Sequence, residues 1–399
     1  MISVPLVEIE KRIAKLQNSM QLKGIDGALI VQKTDLFYFT NTAQQGYLYI
    51  PQEGKAILVV FKEFDRAKIE SPLADIISLG SVKKIPGILS EHGYVYPQTL
   101  GMELDVLPVN LYFTYLKIFK ESKITDISTE IRLIRAVKSE LEIEKIRLAA
   151  DFSDKLAARM SEMLEPGKTE VQLAGEIEGY ARTLGHQGIV RMRLWGSELF
   201  YGHLLSGAAA AIPGYLASPT AGQGVNNFVG QGAGFNKIAV NEPILLDYVF
   251  ALDGYLSDHA RIFALGTLPA DLLEAHQAML DIQNEVMEQA KPGAVTGDLY
   301  EMMISMADKL GYKDNFMGVG ERRIRFTGHG IGLELDEFPF IAKGQKLELE
   351  AGMIIALEPK VIFPGRGVVG IENTHLVTEA GLEPLTRFTD EITILPIVA

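Results

Sequence analysis

The feature that most limits the fold of this 399-residue chain is an internal repeat, offset by 126 residues from position 162 to position 288. The segment "EMLEPGKTEVQLAGEIEGYARTLG" aligns without a gap on "EQAKPGAVTGDLYEMMISMADKLG". The identical positions are Glu162, Pro166, Gly167, Leu173, Ala181, Leu184 and Gly185, matched by Glu288, Pro292, Gly293, Leu299, Ala307, Leu310 and Gly311. Helical periodicity alone would explain the leucines and alanines, whereas the paired Pro-Gly starts and Leu-Gly ends favour duplication. We predict two related halves, each a helix followed by strands, with a natural site where they meet.

The residues before the repeat predict a separate domain. Residues 1–130 alternate helix-like and strand-like segments, with strands near "GALIVQ", "GYLYI", "KAILVVF" and "DIISLG". This pattern is typical of an α/β domain with a mixed sheet. A capping box, Ser139 followed by Glu142, then starts a long helix with one buried face. That face comprises Ile146, Ala149, Ser153, Leu156, Met160 and Met163. We place the domain boundary at residue 130 and predict an α+β domain over residues 131–399.

Composition excludes several classes of function. The 51 acidic residues exceed the 38 Lys and Arg by 13, so neither nucleic acid nor an anionic membrane is an expected partner. The chain has no cysteine, which excludes disulfides, thiolate ligands and a cysteine nucleophile. The start "MISVPLVEIEKRIAKLQNSM" is typical of an amphipathic helix rather than a signal peptide, and no apolar run approaches the roughly 18 residues that span a bilayer. A cytoplasmic location is expected.

Two aspartates occupy a predicted hairpin, "ILLDYVFALDGYLSDHARIF". With the turn centred between residues 252 and 253, Asp247 lies directly opposite Asp258. Two like charges on one face of an apolar strand need a counterion. The alternative is that Asp258 is a surface residue beside Arg261.

Two glutamates have the same arrangement in "GMIIALEPKVIFPGRGVVGIENTHLV". A hairpin centred on Gly365 sets Glu358 opposite Glu372. Glu358 ends the apolar run "MIIAL", where an unpaired carboxylate would be costly to bury. Two hairpins with facing acids favour a cation site over unrelated surface acids.

The stretch "RFTGHGIGLELDEFPF" places His329 between Gly328 and Gly330. Alone, it fits a core histidine in a glycine turn as well as a metal ligand or a proton carrier. Four carboxylates around one imidazole, however, carry four negative charges, which two divalent cations would neutralise. Oxygen-rich ligation with one nitrogen suits manganese, cobalt, iron or zinc. We therefore predict that His329 is a metal ligand and that the glycines let the backbone pass close to the metal.

A glycine-rich segment, residues 206–235, separates the two halves. Its spacing fits neither the dinucleotide-binding nor the P-loop signature, so it gives little support to phosphate binding. Irregular loops of this length often line a binding site, and we expect that role here.

The motifs "SDHAR", "GHGIGLELDEFP", "GMIIALEP" and "GIEN" resemble those of the pita-bread metallopeptidases, which include Xaa-Pro dipeptidase (prolidase), aminopeptidase P and methionine aminopeptidase. The N-terminal domain resembles that of prolidase, aminopeptidase P and creatinase. The resemblance implies a pita-bread catalytic domain with a pseudo-twofold repeat, two divalent ions (Mn, Co, Zn or Fe) and a homodimer. It also implies a hydroxide between the ions that attacks the amide carbonyl of a short peptide, with Glu358 as proton shuttle. The five metal ligands of the family carry over to Asp247, Asp258, His329, Glu358 and Glu372.

Three positions depart from the peptidase pattern of that family. Asp336 stands where a second histidine is usual, residues 204–258 contain no histidine, and Gly370 stands where Xaa-Pro enzymes commonly carry an arginine. Asp336 reverses the local charge and would repel a peptide carboxylate. His203 is the candidate to replace a lost histidine, although a packing role is the alternative. The predicted catalytic residues are thus Glu358, Asp336 and His203.

These departures leave three hypotheses for function. The first is a peptidase for short peptides, and the second is a metal-dependent hydrolase or lyase acting on a non-peptide small molecule. The third is a binding module on an inactive scaffold, against which the retention of all five ligands argues. His259 and His375 adjoin the ligand strands, and strand alternation directs them to the opposite face, so we expect both to be structural.

Overall fold

The computed structural model describes residues 4–397, which divide into two units after Arg135. The boundary predicted at residue 130 falls inside a helix, Ser128–Ala136, at whose end the structure divides. The first three residues of the predicted N-terminal helix lie outside the described ones. No helix within residues 4–397 is both long enough and apolar enough to cross a membrane.

The first unit is an α/β domain built on a six-stranded mixed sheet of order β4-β3-β2-β1-β5-β6. Strand β1 pairs antiparallel with β2 and parallel with β5, which confirms the mixed sheet. Its elements are α1 Leu6–Lys23, β1 Gly27–Ile30, α2 Lys33–Thr40, β2 Gly46–Pro51, β3 Ile57–Val60, α3 Phe64–Glu70, β4 Ile76–Ser78, α4 Ile85–Glu91, β5 Thr99–Met102, α5 Val109–Ile118, β6 Lys123–Asp126 and α6 Ser128–Ala136.

The second unit is α+β, with a five-stranded sheet of order β11-β10-β12-β15-β16, a four-stranded sheet of order β17-β9-β8-β7 and the pair β13-β14. Its elements are α7 Glu140–Met163, α8 Glu170–Thr183, β7 Gly202–Ser206, β8 Ile244–Leu252, β9 Tyr255–Leu265, α9 Ala270–Gln289, α10 Thr296–Lys309, β10 Phe326–Gly330, β11 Glu337–Ala342, β12 Ile354–Leu357, β13 Lys360–Phe363, β14 Gly367–Gly370, β15 Asn373–Thr378, β16 Gly381–Pro384 and β17 Thr393–Leu395.

The structure contains the predicted repeat. Helices α7 and α9 end 126 residues apart, at positions 163 and 289. The same offset separates the first residues of α8 and α10, 170 and 296, and their last residues, 183 and 309. The Pro-Gly turns also correspond, because Gly167 and Gly293 both have φ of 87°. Each turn glycine donates its N–H to a strand-like segment of its own half, at Ile238 O and Leu349 O.

Each helix pair buries its apolar face in its own core. Leu156 and Met160 of α7 and Ile177 of α8 lie in one cluster with residues of β7, β8 and β9. Met279 of α9 and Met303 of α10 lie in another, with residues of β11 to β14 and also Leu245 of β8 and Ile262 of β9. Alternate residues of β8 and β9 belong to the two different clusters, so this hairpin lies between the two cores.

Candidate active site

The two predicted aspartates lie on the hairpin of β8 and β9, in a register two residues from the predicted one. Asp247 pairs with Ala260 rather than Asp258, because the turn is formed by Asp253 and Gly254, whose φ values are 50° and 91°. The predicted facing pair is therefore wrong. Both side chains nevertheless lie on the same face, because a shift of two residues preserves strand alternation.

Asp258 is buried, so the alternative of a surface residue beside Arg261 is wrong. Its backbone N–H donates to Thr374 Oγ1 (2.9 Å), and that hydroxyl donates to Asp258 O (2.8 Å). Its Oδ1 accepts from the N–H of His259, while Oδ2 faces His329. Thr374 of β15 thus holds the backbone of Asp258, and the next residue of β9 holds its carboxylate.

The two glutamates lie where the predicted register places them. Strands β12 and β15 pair up to Leu357 and Asn373, and β13 and β14 continue the same register. Glu358 and Glu372 therefore lie opposite each other in the gap between the two ladders. Both carboxylates are buried.

His329 on β10 completes a group of side chains that could hold a metal ion. Its Nδ1 lies 3.1 Å from Gly330 O, to which it can donate an N–H. The other ring nitrogen, Nε2, then keeps its lone pair and faces Asp258 Oδ2 and Glu372 Oε1, each 3.8 Å away. These separations suit ligands that each lie about 2.1 Å from one ion, and the backbone acceptor is the usual outer partner of a ligand histidine. Asp258, His329 and Glu372 therefore fit a single divalent ion.

The glycines beside His329 serve strand packing rather than close approach to a metal. A Cβ on Gly330 would lie 2.1 Å from Phe338 O, and one on Gly328 would lie 2.6 Å from Ala356 O. Neighbouring backbone occupies the space that the sequence analysis assigns to an ion. The sequence analysis thus predicted correctly that another group lies close to these glycines, but that group is neighbouring backbone and not a metal ion.

Replacing Gly330 by alanine should destabilise the second unit by about 2–3 kcal/mol, because a methyl group must push β11 away from β10. Urea unfolding measures this loss. Gly179→Ala is the matched control, since Gly179 lies in α8 and a Cβ added there would have no neighbour within 4 Å, so the extra methyl should be neutral or slightly stabilising. Equal unfolding midpoints for the two variants would contradict the prediction.

Lys360 is a site residue that the sequence analysis missed. Its side chain is 1% exposed, and Nζ lies 3.0 Å from Asp247 Oδ2, 3.1 Å from Glu358 Oε2 and 2.5 Å from Glu372 Oε2. The available signal was the motif "EPK", because residues 358 and 360 share a face in extended chain. The ammonium contacts three of the four predicted carboxylate ligands.

Burial and mutual repulsion govern protonation of these groups. Burial, reinforced by Glu372, raises the pKa of Asp258 well above its usual value, and burial raises the pKa of Glu358 to about 7 despite Lys360. Burial would raise the pKa of Glu372 too, but Lys360 and His329 lower it to about 2. Burial opposes the charge on His329, yet Asp336 and Glu372 raise its pKa well above the ordinary range. In the ion-free protein, protons on Asp258, Glu358 and His329 therefore offset part of the negative charge of the site.

The acids lie on the floor of a cavity that opens to solvent. Asp247, Asp258, Glu358, Glu372, His329 and Lys360 form the floor, with His203 and Asp336 beside them. The walls are mainly apolar, with Met192, Leu194, Leu199, Val249, Phe326 and Leu335. The glycine-rich segment contributes Leu216, Ala217 and Ser218, in keeping with its expected place beside the site.

His203 lies on β7 and Asp336 immediately precedes β11, and both line the cavity beside the floor. His203 pairs with Asp247, and its buried Nε2 has no hydrogen-bond partner among the described residues. Burial lowers the pKa of His203, which keeps the imidazole neutral. Asp336 has a left-handed backbone with φ of 61°, and its Oδ1 lies 3.7 Å from His329 Nδ1.

The remaining residues singled out in the sequence lie outside the floor. Gly370 pairs with Lys360, and a Cβ there would lie 2.4 Å from Pro359 O and 2.6 Å from Lys360 Cα, so no arginine fits in this backbone. His259 and His375 are buried and do not line the cavity, in keeping with structural roles.

Comparison with known families agrees with this geometry. Residues 144–379, more than half of the chain, match the model of metallopeptidase family M24. The chain belongs to metallopeptidase family M24. Residues 12–137 match the Creatinase/Prolidase N-terminal domain, so the predicted family and the two-part fold class are both confirmed.

Relatives within family M24 are similar over nearly their whole length. A Xaa-Pro dipeptidase of Pyrococcus furiosus is 27% identical over 395 residues, covering 96% of this chain and all of the relative. One from Lactobacillus delbrueckii subsp. lactis is 29% identical, covering 96% and 98%. Among solved structures, the prolidase of Pyrococcus horikoshii has a TM-score of 0.79 and 25% identity, covering 95% of this chain and 99% of that one.

Family membership gives the acidic floor a chemical context. M24 enzymes are metallopeptidase-type hydrolases that use divalent metal ions, and this chain is of that type. Within residues 4–397, the side chains that converge on one possible ion position are Asp258, His329 and Glu372.

Proposed function

We propose that the chain is a divalent-metal-dependent hydrolase that cleaves the amide bond of a short peptide. The observation that supports this most is the convergence of Asp258, His329 and Glu372 on the floor of a cavity with largely apolar walls. Two carboxylates and one imidazole suit manganese, cobalt, zinc or iron. When bound there, such an ion polarises a substrate carbonyl and lowers the pKa of water. Two ions held by the five-ligand set, as predicted from the sequence, are the alternative proposal, and a count of bound metal distinguishes one ion from two.

Two residues of this chain have proposed roles beside the ion. Glu358 lines the cavity close to the ion position, where its carboxylate can accept a proton from water and deliver it to the leaving nitrogen. The neutral His203 has an unpartnered Nε2 that can hydrogen-bond a substrate oxygen. Asp336, at the side of the floor, is proposed to act on substrate choice rather than on bond cleavage.

The charges of the cavity favour some peptides over others. Five carboxylates line it, and among the described residues its one lysine or arginine is Lys360, which already contacts three of them. A free carboxylate close to the scissile bond would meet repulsion, whereas a substrate ammonium would be attracted. We therefore propose aminopeptidase-like cleavage of longer or amidated peptides in preference to free dipeptides. The same charges support a second candidate, a cationic non-peptide amide.

A substrate panel tests this proposal. Purified protein with manganese, cobalt, zinc or iron(II) is offered Ala-Pro, Ala-Pro-amide, Ala-Pro-Ala and an N-acetylated form of the last. We expect the amide and the tripeptide to exceed the free dipeptide in kcat/KM by about tenfold or more, and acetylation to reduce turnover. Preference for the free dipeptide would contradict the charge argument. Absence of turnover of every peptide with every metal would overturn the peptidase proposal and leave the cationic amide to be assayed.

Metal binding should become tighter as pH rises from about 6 to 8. In the ion-free protein, His329 holds a proton over this pH range, and so does a part of Glu358, whose pKa is about 7. A bound ion disfavours protonation of these groups. Binding must therefore release protons. Calorimetric titration with Mn²⁺ at one pH in two buffers of different ionisation enthalpy measures the number released. Equal heats in both buffers would contradict the prediction.

We also propose a homodimer, on the resemblance to the family alone. Light scattering of the purified 43.9 kDa chain tests it, and a dimer should have twice that mass. A particle of single-chain mass at working concentration would overturn this proposal.

A further inference from the structure

The environment of Lys360 bears on how many metal ions the site can hold. An ammonium has three N–H donors, and the carboxylates of Asp247, Glu358 and Glu372 lie 2.5 to 3.1 Å from Nζ, one for each donor. The side chain is almost fully buried, so water has little part in its solvation. Lys360 is therefore an internal counter-cation for three acids on the Asp247 side of the floor.

We infer that the Lys360 ammonium takes the place of one of the two cations that the acidic floor would otherwise hold, so that the site binds one divalent ion, between Asp258, His329 and Glu372. The inference rests on the proposed function only in taking these three residues as metal ligands. It concerns the number and position of the ions, whatever the substrate.

Glu372 separates the two cation positions. Its Oε1 lies 3.8 Å from His329 Nε2, whereas its Oε2 lies 2.5 Å from Lys360 Nζ. One carboxylate thus presents one oxygen to the metal group and the other to the ammonium. Asp258 directs its Oδ2 towards His329, on the metal side. The described acids that contact Lys360 are Asp247, Glu358 and Glu372.

A second ion on the Asp247 side would compete with Lys360 for the same oxygen atoms. An ion bound to Asp247 and Glu372 would need oxygens about 2.0 to 2.2 Å away, and Lys360 already contacts one oxygen of each residue. The ion would then lie next to the ammonium, and two positive charges at such a distance repel strongly in a buried site. The donor set fits one ion on the His329 side and does not fit a second beside Lys360.

Gly370 makes this position of Lys360 possible. The two residues pair across β13 and β14, and a Cβ on residue 370 would lie 2.6 Å from Lys360 Cα and 3.1 Å from its Cγ. A larger residue at 370 would displace the lysine stem. The absence of an arginine at 370 and the presence of a lysine at 360 are therefore linked by packing.

Metal stoichiometry tests the inference without reference to turnover. Apo protein is dialysed against excess Mn²⁺, bound metal is counted by elemental analysis, and calorimetry gives the number of sites. We expect one equivalent for the unaltered chain and two for Lys360→Met, in which an uncharged side chain of similar length leaves the Asp247 side open to an ion. Lys360→Arg keeps the charge and should bind one.

The matched control is Lys138→Met, which removes another buried lysine, one that contacts Glu337 (3.3 Å) away from the cavity floor. This variant should keep one equivalent. Electron paramagnetic resonance of the unaltered chain adds a readout that needs no variant to fold, because isolated Mn²⁺ gives a six-line spectrum and a close pair gives an exchange-coupled one.

Two equivalents or a coupled spectrum for the unaltered chain would overturn the inference, even if peptides are cleaved. One equivalent without cleavage of any peptide would support the inference and overturn the proposed function instead. If Lys360→Met folds, as judged by circular dichroism, and still binds one equivalent, the inference fails as well.

Discussion

Replacing His329 by alanine should lower the affinity for a divalent ion by at least ~10²-fold and abolish most amide hydrolysis, with a loss of ~10³-fold or more. His329 is the only nitrogen donor in the group that could hold the ion, and its Nε2 lies equally far, at 3.8 Å, from Asp258 and Glu372. Loss of an outer partner of a metal ligand typically costs 10- to 100-fold, so loss of the ligand itself should cost more. The rate follows because the ion supplies several kcal/mol of charge stabilisation in the transition state.

Calorimetry with Mn²⁺ and kcat/KM on the best peptide of the panel measure both losses. His375→Leu is the matched control, because His375 is equally buried, lies outside the cavity, and has ring nitrogens without hydrogen-bond partners among residues 4–397. That variant should still bind one equivalent of ion. Unchanged affinity in His329→Ala would show that the ion, if bound, is held elsewhere.

The repeat and the carboxylates could be predicted from the sequence because both depend on local periodicity. Helix bounds at an offset of 126 residues follow from matched Pro-Gly and Leu-Gly signals at positions 166–167, 184–185 and their counterparts. Because side chains alternate along a strand, the error in the predicted register did not change which side chains share a face. The β8–β9 hairpin turns at Asp253-Gly254, the usual two-residue signal, and not one residue earlier as predicted. The resulting shift of two residues left Asp247 and Asp258 on one face.

Lys360 could not be placed in the same way. Extended chain puts residues 358 and 360 on one face, but a lysine stem with four rotatable bonds can direct its charge towards solvent or into the site. What decides is the space opposite, where Gly370 has no side chain and three acids converge. That arrangement depends on the register of β13 and β14 together with the approach of β8, and neither is a local property of the sequence. The same limit applies to Gly330, whose close neighbour, Phe338 O, lies on another strand.

Arg261 is the residue outside the cavity whose loss should cost most stability. It is 1% exposed, and its five N–H groups lie within hydrogen-bond distance of six acceptors, including Glu372 O, 3.0 Å from Nη1. The other acceptors are Thr389 O, Ala260 O, Asn373 Oδ1, Phe388 O and Asp390 Oδ1. Burial lowers the pKa of Arg261 to about 10, which still leaves it charged at neutral pH. One side chain thus fixes the backbone of a candidate ligand and the chain near residues 388–390.

Arg261→Met should therefore destabilise the second unit by about 3–5 kcal/mol, because buried acceptors lose their donors while the apolar stem is largely kept. Arg366→Met is the matched control, since Arg366 also forms a two-bond pair, with Asp271 at 2.6 and 2.9 Å, but on an exposed surface. Such a pair adds little to stability, and its loss should hardly move the urea midpoint. If the two variants unfold at similar urea concentrations, Arg261 does not organise the segment between β14 and β15 that contains Glu372. If Arg261→Met unfolds early but binds Mn²⁺ normally while folded, its role is confined to stability.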